Sequence, residues 1–266
     1  MPLAVCATPI GNLEDITLRV LAELREADVV LAEDTRHTRG LLERHGIQAT
    51  LLSYHEHNEA ARVAELLPRL EAGERIALVS DAGMPGVSDP GARLVRAALD
   101  AGVVVTVLPG PSAVETALVA GGLAGGRYAF VGFLPRKAGE QEALWRETAT
   151  WECALVAFES PHRLGSSLRS LAAVDPGREV AVCRELTKRF EEVVRGTAAE
   201  LASRFDDPPK GEVTLVVAPG SPVADPEPAR RAVADLVAAG TPRRVAAEVV
   251  ARLTDTSRND LYRATL

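Results

Sequence analysis

Short apolar runs of strand length recur along the first half of the chain, at Leu3 to Cys6, Val29 to Ala32, Thr50 to Ser53, Ile76 to Ser80 and Val103 to Leu108. Segments with helical spacing of apolar positions separate them, so the order reads βαβαβαβαβ. Strands this uniformly apolar are covered on both faces, as a parallel sheet flanked by helices requires. After Pro109-Gly110-Pro111, a helical stretch from Ser112 to Gly121 leads to a second series of strands. These are Tyr128 to Gly132, Ala154 to Phe158, Val180 to Cys183, Glu191 to Arg195 and Val213 to Ala218. Between Arg184 and Gly196 there is no room for a helix, which predicts an antiparallel hairpin at a sheet edge and a mixed second sheet.

The expected fold class is α/β: two α/β domains, the first with a five-stranded, mainly parallel sheet and the second with a mixed sheet, and a helical C-terminal tail. The expected boundaries are residues 1–111, 112–225 and 226–266, because Pro219, Pro222, Pro226 and Pro228 mark a linker. In the tail, Pro242 is expected at the first helical position of one helix, and Ser257 with Asp260 has capping-box spacing for another.

Composition narrows the class. With 47% hydrophobic and 25% charged residues over 266 positions, this is an ordinary globular protein with enough chain for two domains. No run of 18 apolar residues occurs and the N-terminus MPLAVCATPIG has no basic leader, so a cytoplasmic protein with no membrane contact is expected. Cys6, Cys153 and Cys183 are far apart and read as buried small hydrophobes. A net charge of −7 argues against wholesale coating of nucleic acid. The tail departs from that balance, since seven arginines stand there against five acids.

Chemistry is expected in the loops after the strands, where open α/β sheets bind their ligands. Three such loops combine Gly and Pro: Thr8-Pro9-Ile10-Gly11-Asn12-Leu13, the stretch from Ser80-Asp81-Ala82-Gly83 to Asp89-Pro90-Gly91, and Leu108-Pro109-Gly110-Pro111-Ser112. None matches G-x-G-x-x-G or G-x-x-x-x-G-K-[ST], so a nucleotide-like ligand without phosphates fits better than a dinucleotide or triphosphate. His55 and His57 have the spacing of a metal pair, but no cysteine or third histidine lies nearby in sequence, and a metal-free reading is preferred.

Together with Ala32-Glu33-Asp34-Thr35-Arg36, these loops resemble the tetrapyrrole methylase superfamily. Phe158-Glu159-Ser160-Pro161-His162-Arg163, Arg184-Glu185-Leu186-Thr187-Lys188 and Lys210-Gly211-Glu212 bring the resemblance closer to its ribosomal RNA small-subunit 2′-O-ribose cytidine methyltransferase branch. The resemblance runs from about Leu3 to Gly220. It implies S-adenosylmethionine held between two α/β domains, small-subunit ribosomal RNA as partner, and a homodimer. Carried over by motif, the cofactor-binding residues are Pro9, Asp81, Ala82, Gly83 and Ser112, with Glu159 and Thr214 from the second domain. Where tetrapyrrole-modifying relatives have Gly-Asp-Pro, this chain has Ser80-Asp81-Ala82.

Methyl transfer to a ribose hydroxyl is an in-line displacement that a base assists, and needs no metal. Lys188, Glu185 and Asp34, polar residues at strand ends, are the candidate catalytic residues. Arg36 and Arg39, with His37, follow the second strand, while Arg163, Arg184 and Arg189 come from the second domain; these are candidates for phosphate contacts. Arg243 and Arg244, with Arg258 and Arg263, are candidates in the tail. Two rival readings are a C-methyltransferase of a tetrapyrrole, and a non-enzymatic nucleic-acid-binding protein whose tail helices form a helix-turn-helix.

Overall fold

The computed structural model describes residues 2–123, 125–220, 226–254 and 257–264. The chain divides into two compact units, Met1–Gly220 and Ser221–Leu266. The boundary expected at Asp225 lies outside the described residues.

In the larger unit the first sheet contains β1 (Leu3–Cys6), β2 (Val29–Ala32), β3 (Leu51–Ser53), β4 (Ile76–Leu78) and β5 (Val105–Leu108), in the order β3-β2-β4-β1-β5. Every pairing is parallel. Helices α1 (Leu18–Glu26), α2 (Thr35–Arg44), α3 (Glu59–Glu71) and α4 (Ala92–Asp100) connect the strands. They enclose two apolar layers, one around Val20, Leu24 and Val30 and the other around Leu31, Leu66 and Leu94. That places apolar side chains on both faces of β2, as the uninterrupted Val-Val-Leu-Ala run requires.

The three Gly/Pro loops follow β4, β1 and β5, which are neighbours, so they meet at one edge of the first half. There Thr8 N donates to Gly83 O at 2.8 Å and Gly83 N to Thr8 O at 3.1 Å, while Thr8 Oγ1 donates to Ser80 O at 3.0 Å. The third loop packs as closely: a Cβ on Gly110 would stand 2.9 Å from Ala7 Cβ.

From β5 the chain enters α5 (Ala113–Gly121), which packs on the second sheet. That sheet contains β6 (Tyr128–Phe133), β7 (Ala154–Glu159), β8 (Glu179–Arg184), β9 (Glu192–Thr197) and β10 (Val213–Val217), in the order β6-β7-β10-β8-β9. It is mixed, with β6 and β7 parallel and the other pairs antiparallel, and the β8–β9 hairpin closes its edge. Helices α6 (Ala138–Thr148), α7 (Pro161–Val174) and α8 (Ala198–Arg204) cover the face opposite α5, with Trp145, Leu164 and Leu201 in that core.

The smaller unit holds α9 (Pro226–Ala238), α10 (Arg243–Thr254) and α11 (Arg258–Ala264), with its own core of Ala229, Val233, Ala246, Ala247, Val250 and Leu261. Pro226 and Pro228, expected to mark a linker, open α9, where the missing amide hydrogen costs nothing. Pro242 lies one residue before α10, and Ser257 Oγ accepts from Asp260 N at 3.4 Å. Cys6 and Cys183 are buried, whereas Cys153 is only half-buried. Among the described residues no helix is long and apolar enough to cross a membrane.

Candidate functional site

A cavity of about 520 Å³ lies between the strand-end loops of the first sheet and the face of the second, within the usual range for a small-molecule site. Its apolar wall is made by Ile10, Val114, Phe133, Phe158, Leu186 and the buried Cys183. Burial pushes the Cys183 thiol up to about 11, so it stays protonated and is no nucleophile.

Asp81, Ala82, Gly83, Ser112, Glu159 and Thr214, six of the seven residues expected to hold a cofactor, line this cavity. Pro9 does not; it is buried beneath the loop, and its neighbour Ile10 faces the cavity instead. Thr214 reaches it from β10, and Gly83 takes a φ of +80°, which lets its loop turn under the cavity floor. Glu159 also lines the cavity. Its carboxylate is turned away into the core, accepting from Ser160 N at 2.6 Å and Ser167 Oγ at 2.5 Å and pairing with Arg163 at 2.5 Å. Gln141 Nε2 donates to Ser167 Oγ at 3.0 Å and so extends the network. Glu159 therefore shapes the wall rather than offering its charge to a ligand.

Five acidic residues line the cavity; Glu159 and Glu212 are paired with Arg163 and Lys188, which leaves Glu33 after β2, and Asp81 and Asp89 at the two ends of the loop after β4. None of these three is paired with Lys or Arg among the described residues; Asp81 accepts from Asp34 N at 3.1 Å. Desolvation, reinforced by the charges of Glu33 and Asp81, pushes Asp89 up to about 7. Desolvation and Asp81 likewise raise Glu33. An uncompensated negative cluster in an apolar pocket suits a cationic ligand, whose charge would relieve the repulsion. Sequence reasoning passed over Glu33 and Asp89; the available signal was an acid closing an apolar strand and a second Asp in a loop rich in glycine.

The three candidate bases are held otherwise. Asp34 caps α2, accepting from Arg36 N at 2.8 Å, and its bidentate pairing with Arg36 drives its carboxyl well below the usual range. Lys188 Nζ lies 3.0 Å from both Glu185 Oε1 and Glu212 Oε2, and these partners raise its pKa against the effect of burial. Glu185 also accepts from Glu212 N at 3.0 Å, and its pKa is lowered. A base needs an available lone pair, and each of these three is instead fixed as the charged member of an ion pair.

The turn carrying Glu185 and Lys188 joins the two halves of the larger unit. Asn12 N donates to Thr187 Oγ1 at 3.0 Å, and a Cβ on Gly11 would stand 2.8 Å from Thr187 Oγ1 and 2.9 Å from Leu186 O. Glu185 and Thr187 take positive φ values of 51° and 64°, a conformation disfavoured for side-chain-bearing residues and held here by that packing.

The candidate phosphate ligands separate into two groups. Arg163 donates to Leu134 O and Pro135 O besides pairing with Glu159, and Arg184 pairs with Glu192 and donates to Lys210 O, so both are structural. Arg36, Arg39 and Arg244 are exposed, while Arg243 is half-buried. His55 and His57 lie edge to face with ring centroids 6.1 Å apart, and among the described residues no group of three or more His, Cys, Asp or Glu side chains is arranged to hold a metal.

The model of the Tetrapyrrole (Corrin/Porphyrin) Methylases matches residues 2–202. Over 98% of this chain and 93% of its own length, the ribosomal RNA small subunit methyltransferase I of Streptococcus pyogenes serotype M1 is 42% identical. The protein of that name from Mesorhizobium japonicum is 45% identical over 99% of this chain and 91% of its own. Its namesake from Thermotoga maritima is 45% identical over 81% of this chain but 97% of its own length. Among solved structures, the methyltransferase CobJ superposes with a TM-score of 0.63 at 21% identity, covering 82% of this chain and 93% of that one. The uroporphyrin-III C-methyl transferase of Thermus thermophilus complexed with S-adenyl homocysteine does so with a TM-score of 0.55 at 20% identity, covering 80% and 96%. These two likenesses speak for the fold. Taken with the matched model and the relatives, they show that this chain belongs to the tetrapyrrole methylases, alongside the ribosomal RNA small subunit methyltransferase I proteins.

Proposed function

We propose that this protein transfers the methyl group of S-adenosylmethionine to the ribose 2′-hydroxyl of a cytidine in small-subunit ribosomal RNA, in the cytoplasm. The observation that carries the reading is the cavity itself: apolar walls with three carboxylates that no Lys or Arg among the described residues pairs with, in a chain whose relatives of 42% and 45% identity are named for small-subunit ribosomal RNA. The residues fit the cofactor. Ile10, Val114 and Phe158 would pack against its adenine, Ser112 and Thr214 would offer hydrogen bonds to its polar groups, and Asp81 with Glu33 would face its cationic part. When bound, S-adenosylmethionine supplies an electrophilic methyl carbon on a positively charged sulfur.

This chain's residues then hold the ribose oxygen in line and take its proton. Asp89 suits the second task, with a pKa of about 7 in the cavity and no ion pair to occupy it. Its carboxylate accepts the hydroxyl proton as the new C–O bond forms. Small subunits from a strain lacking the gene are the substrate with which to test the assignment, with labelled methyl groups traced to a nucleotide and to its 2′-oxygen. Methylation of a base, of a tetrapyrrole, or of nothing overturns it.

We also propose a homodimer. Strand β5 forms an outer edge of the first sheet, and Val104 and Val107 stand exposed along it, an apolar border that a second copy would cover. Light scattering that gives a monomer mass of 28.2 kDa rejects this.

A further inference from the structure

The turn between β8 and β9 carries Phe190 at its outer end with 65% of its surface exposed, although the chain has only five phenylalanines. The guanidinium of Arg189 lies over that ring, 5.5 Å from its centroid. The same turn sends Leu186 inward to line the cavity, so the exposed ring stands four residues from the cavity wall. The turn is also braced. Lys188 N donates to Glu185 O at 2.9 Å, Glu191 N to Lys188 O at 3.1 Å, and Thr187 N to Glu191 Oε2 at 2.6 Å. Lys188 Nζ is clamped between Glu185 and Glu212.

We propose that Phe190 and Arg189 form a stacking platform for an unpaired nucleotide of the RNA substrate, next to the one whose ribose enters the cavity. An aromatic face accepts any base, and a guanidinium over the ring supplies both a stacking plane and a partner for the adjoining phosphate. A nucleotide drawn out of its stack loses contact with its neighbours, and a fixed aromatic ring restores that contact for one of them. Bracing matters here because a ring on a mobile turn would have to be ordered at each encounter. The inference rests on the RNA assignment above.

Phe190→Ala and Phe190→Trp are the variants to compare with the parent in methyl transfer to small subunits. Stacking of one base predicts that Phe190→Ala raises KM by about 10-fold while kcat changes little, and that Phe190→Trp restores KM to within about 2-fold. Affinity for S-adenosylmethionine and the thermal melt should stay as in the parent, since the ring is exposed. Emission from the new tryptophan should be quenched by a short single-stranded fragment of the small-subunit RNA. An unchanged KM in Phe190→Ala, equal impairment of both variants, or a change in oligomeric mass that shows the ring to be a subunit contact each overturns the platform alone. A parent protein that transfers no methyl group to RNA overturns the RNA assignment and the platform together.

Discussion

Asp89 and Glu159 are both acids at the cavity, and their surroundings give them opposite duties. Asp89 is desolvated beside Glu33 and Asp81, which raises it from 3.8 to about 7. If it accepts the ribose proton, activity must rise with pH up to an inflection at or below about 7 and then level off, because only the ionised form accepts. Asp89→Asn should lower kcat by about 10² to 10⁴ and abolish that rising limb, and a limb that survives in the variant excludes the role. Linkage gives a second readout. The folded state holds this proton more tightly than the unfolded chain between pH 3.8 and about 7, so stability declines as pH rises through that window. Asp89→Asn should therefore melt above the parent near about pH 8, with the difference vanishing toward about pH 4. Glu159 is instead fully satisfied by Arg163, Ser160 and Ser167. Removing it in Glu159→Ala strands part of Arg163 and Ser167, at a cost of about 3 kcal/mol, or roughly 6 to 12 °C in melting temperature. A melt unchanged by that substitution shows the network to be dispensable. Neither duty was legible in the sequence, since both residues sit in motifs that read only as acid beside a small residue.

At the scale of elements the sequence was far more readable. Strands such as Val29–Ala32 and Leu3–Cys6 are apolar throughout because both of their faces are covered, and an uninterrupted run announces that directly. The β8–β9 hairpin was legible from lack of room, because seven residues between its strands cannot hold a crossover helix. Electrostatic roles were not legible, since they depend on groups distant along the chain. Arg163 and Arg184 look like phosphate ligands until Leu134 O, Pro135 O, Glu192 and Lys210 O are found around them. The hairpin turn offers the sharpest test at this scale. Gly11→Leu places a side chain where Thr187 and the Leu186 carbonyl already stand, forcing the turn and the Leu186 wall outward. Cofactor affinity should fall by about 10-fold or more, with about 1 to 3 kcal/mol lost in stability. Unchanged affinity separates the turn from the cavity.

At the scale of the whole molecule, the prediction is that chemistry and recruitment fall to different units. The tail carries seven arginines against five acids and has a core of its own, and the Thermotoga relative matches 97% of its length using 81% of this chain. Removing residues 226–266 should leave affinity for S-adenosylmethionine within about 2-fold, yet weaken binding to small subunits and flatten its salt dependence, since fewer counterions are released. Loss of cofactor binding and thermal stability together would instead make the tail part of the larger unit's framework. Within that larger unit two approaches flank the cavity: Gly11 and Asn12 against Thr187, and Ser88 facing Gly132, where a Cβ would stand 3.5 Å from the serine Oγ. The first is hydrogen-bonded and interlocked; the second faces a glycine, with no side chain there to meet the serine at φ 63°. Breathing of the two halves should therefore be easier on the Ser88 side, with the Thr187 contact as hinge. Spent cofactor should leave past Ser88, and turnover should answer to changes at that serine in the rate of product release rather than in the methyl-transfer step.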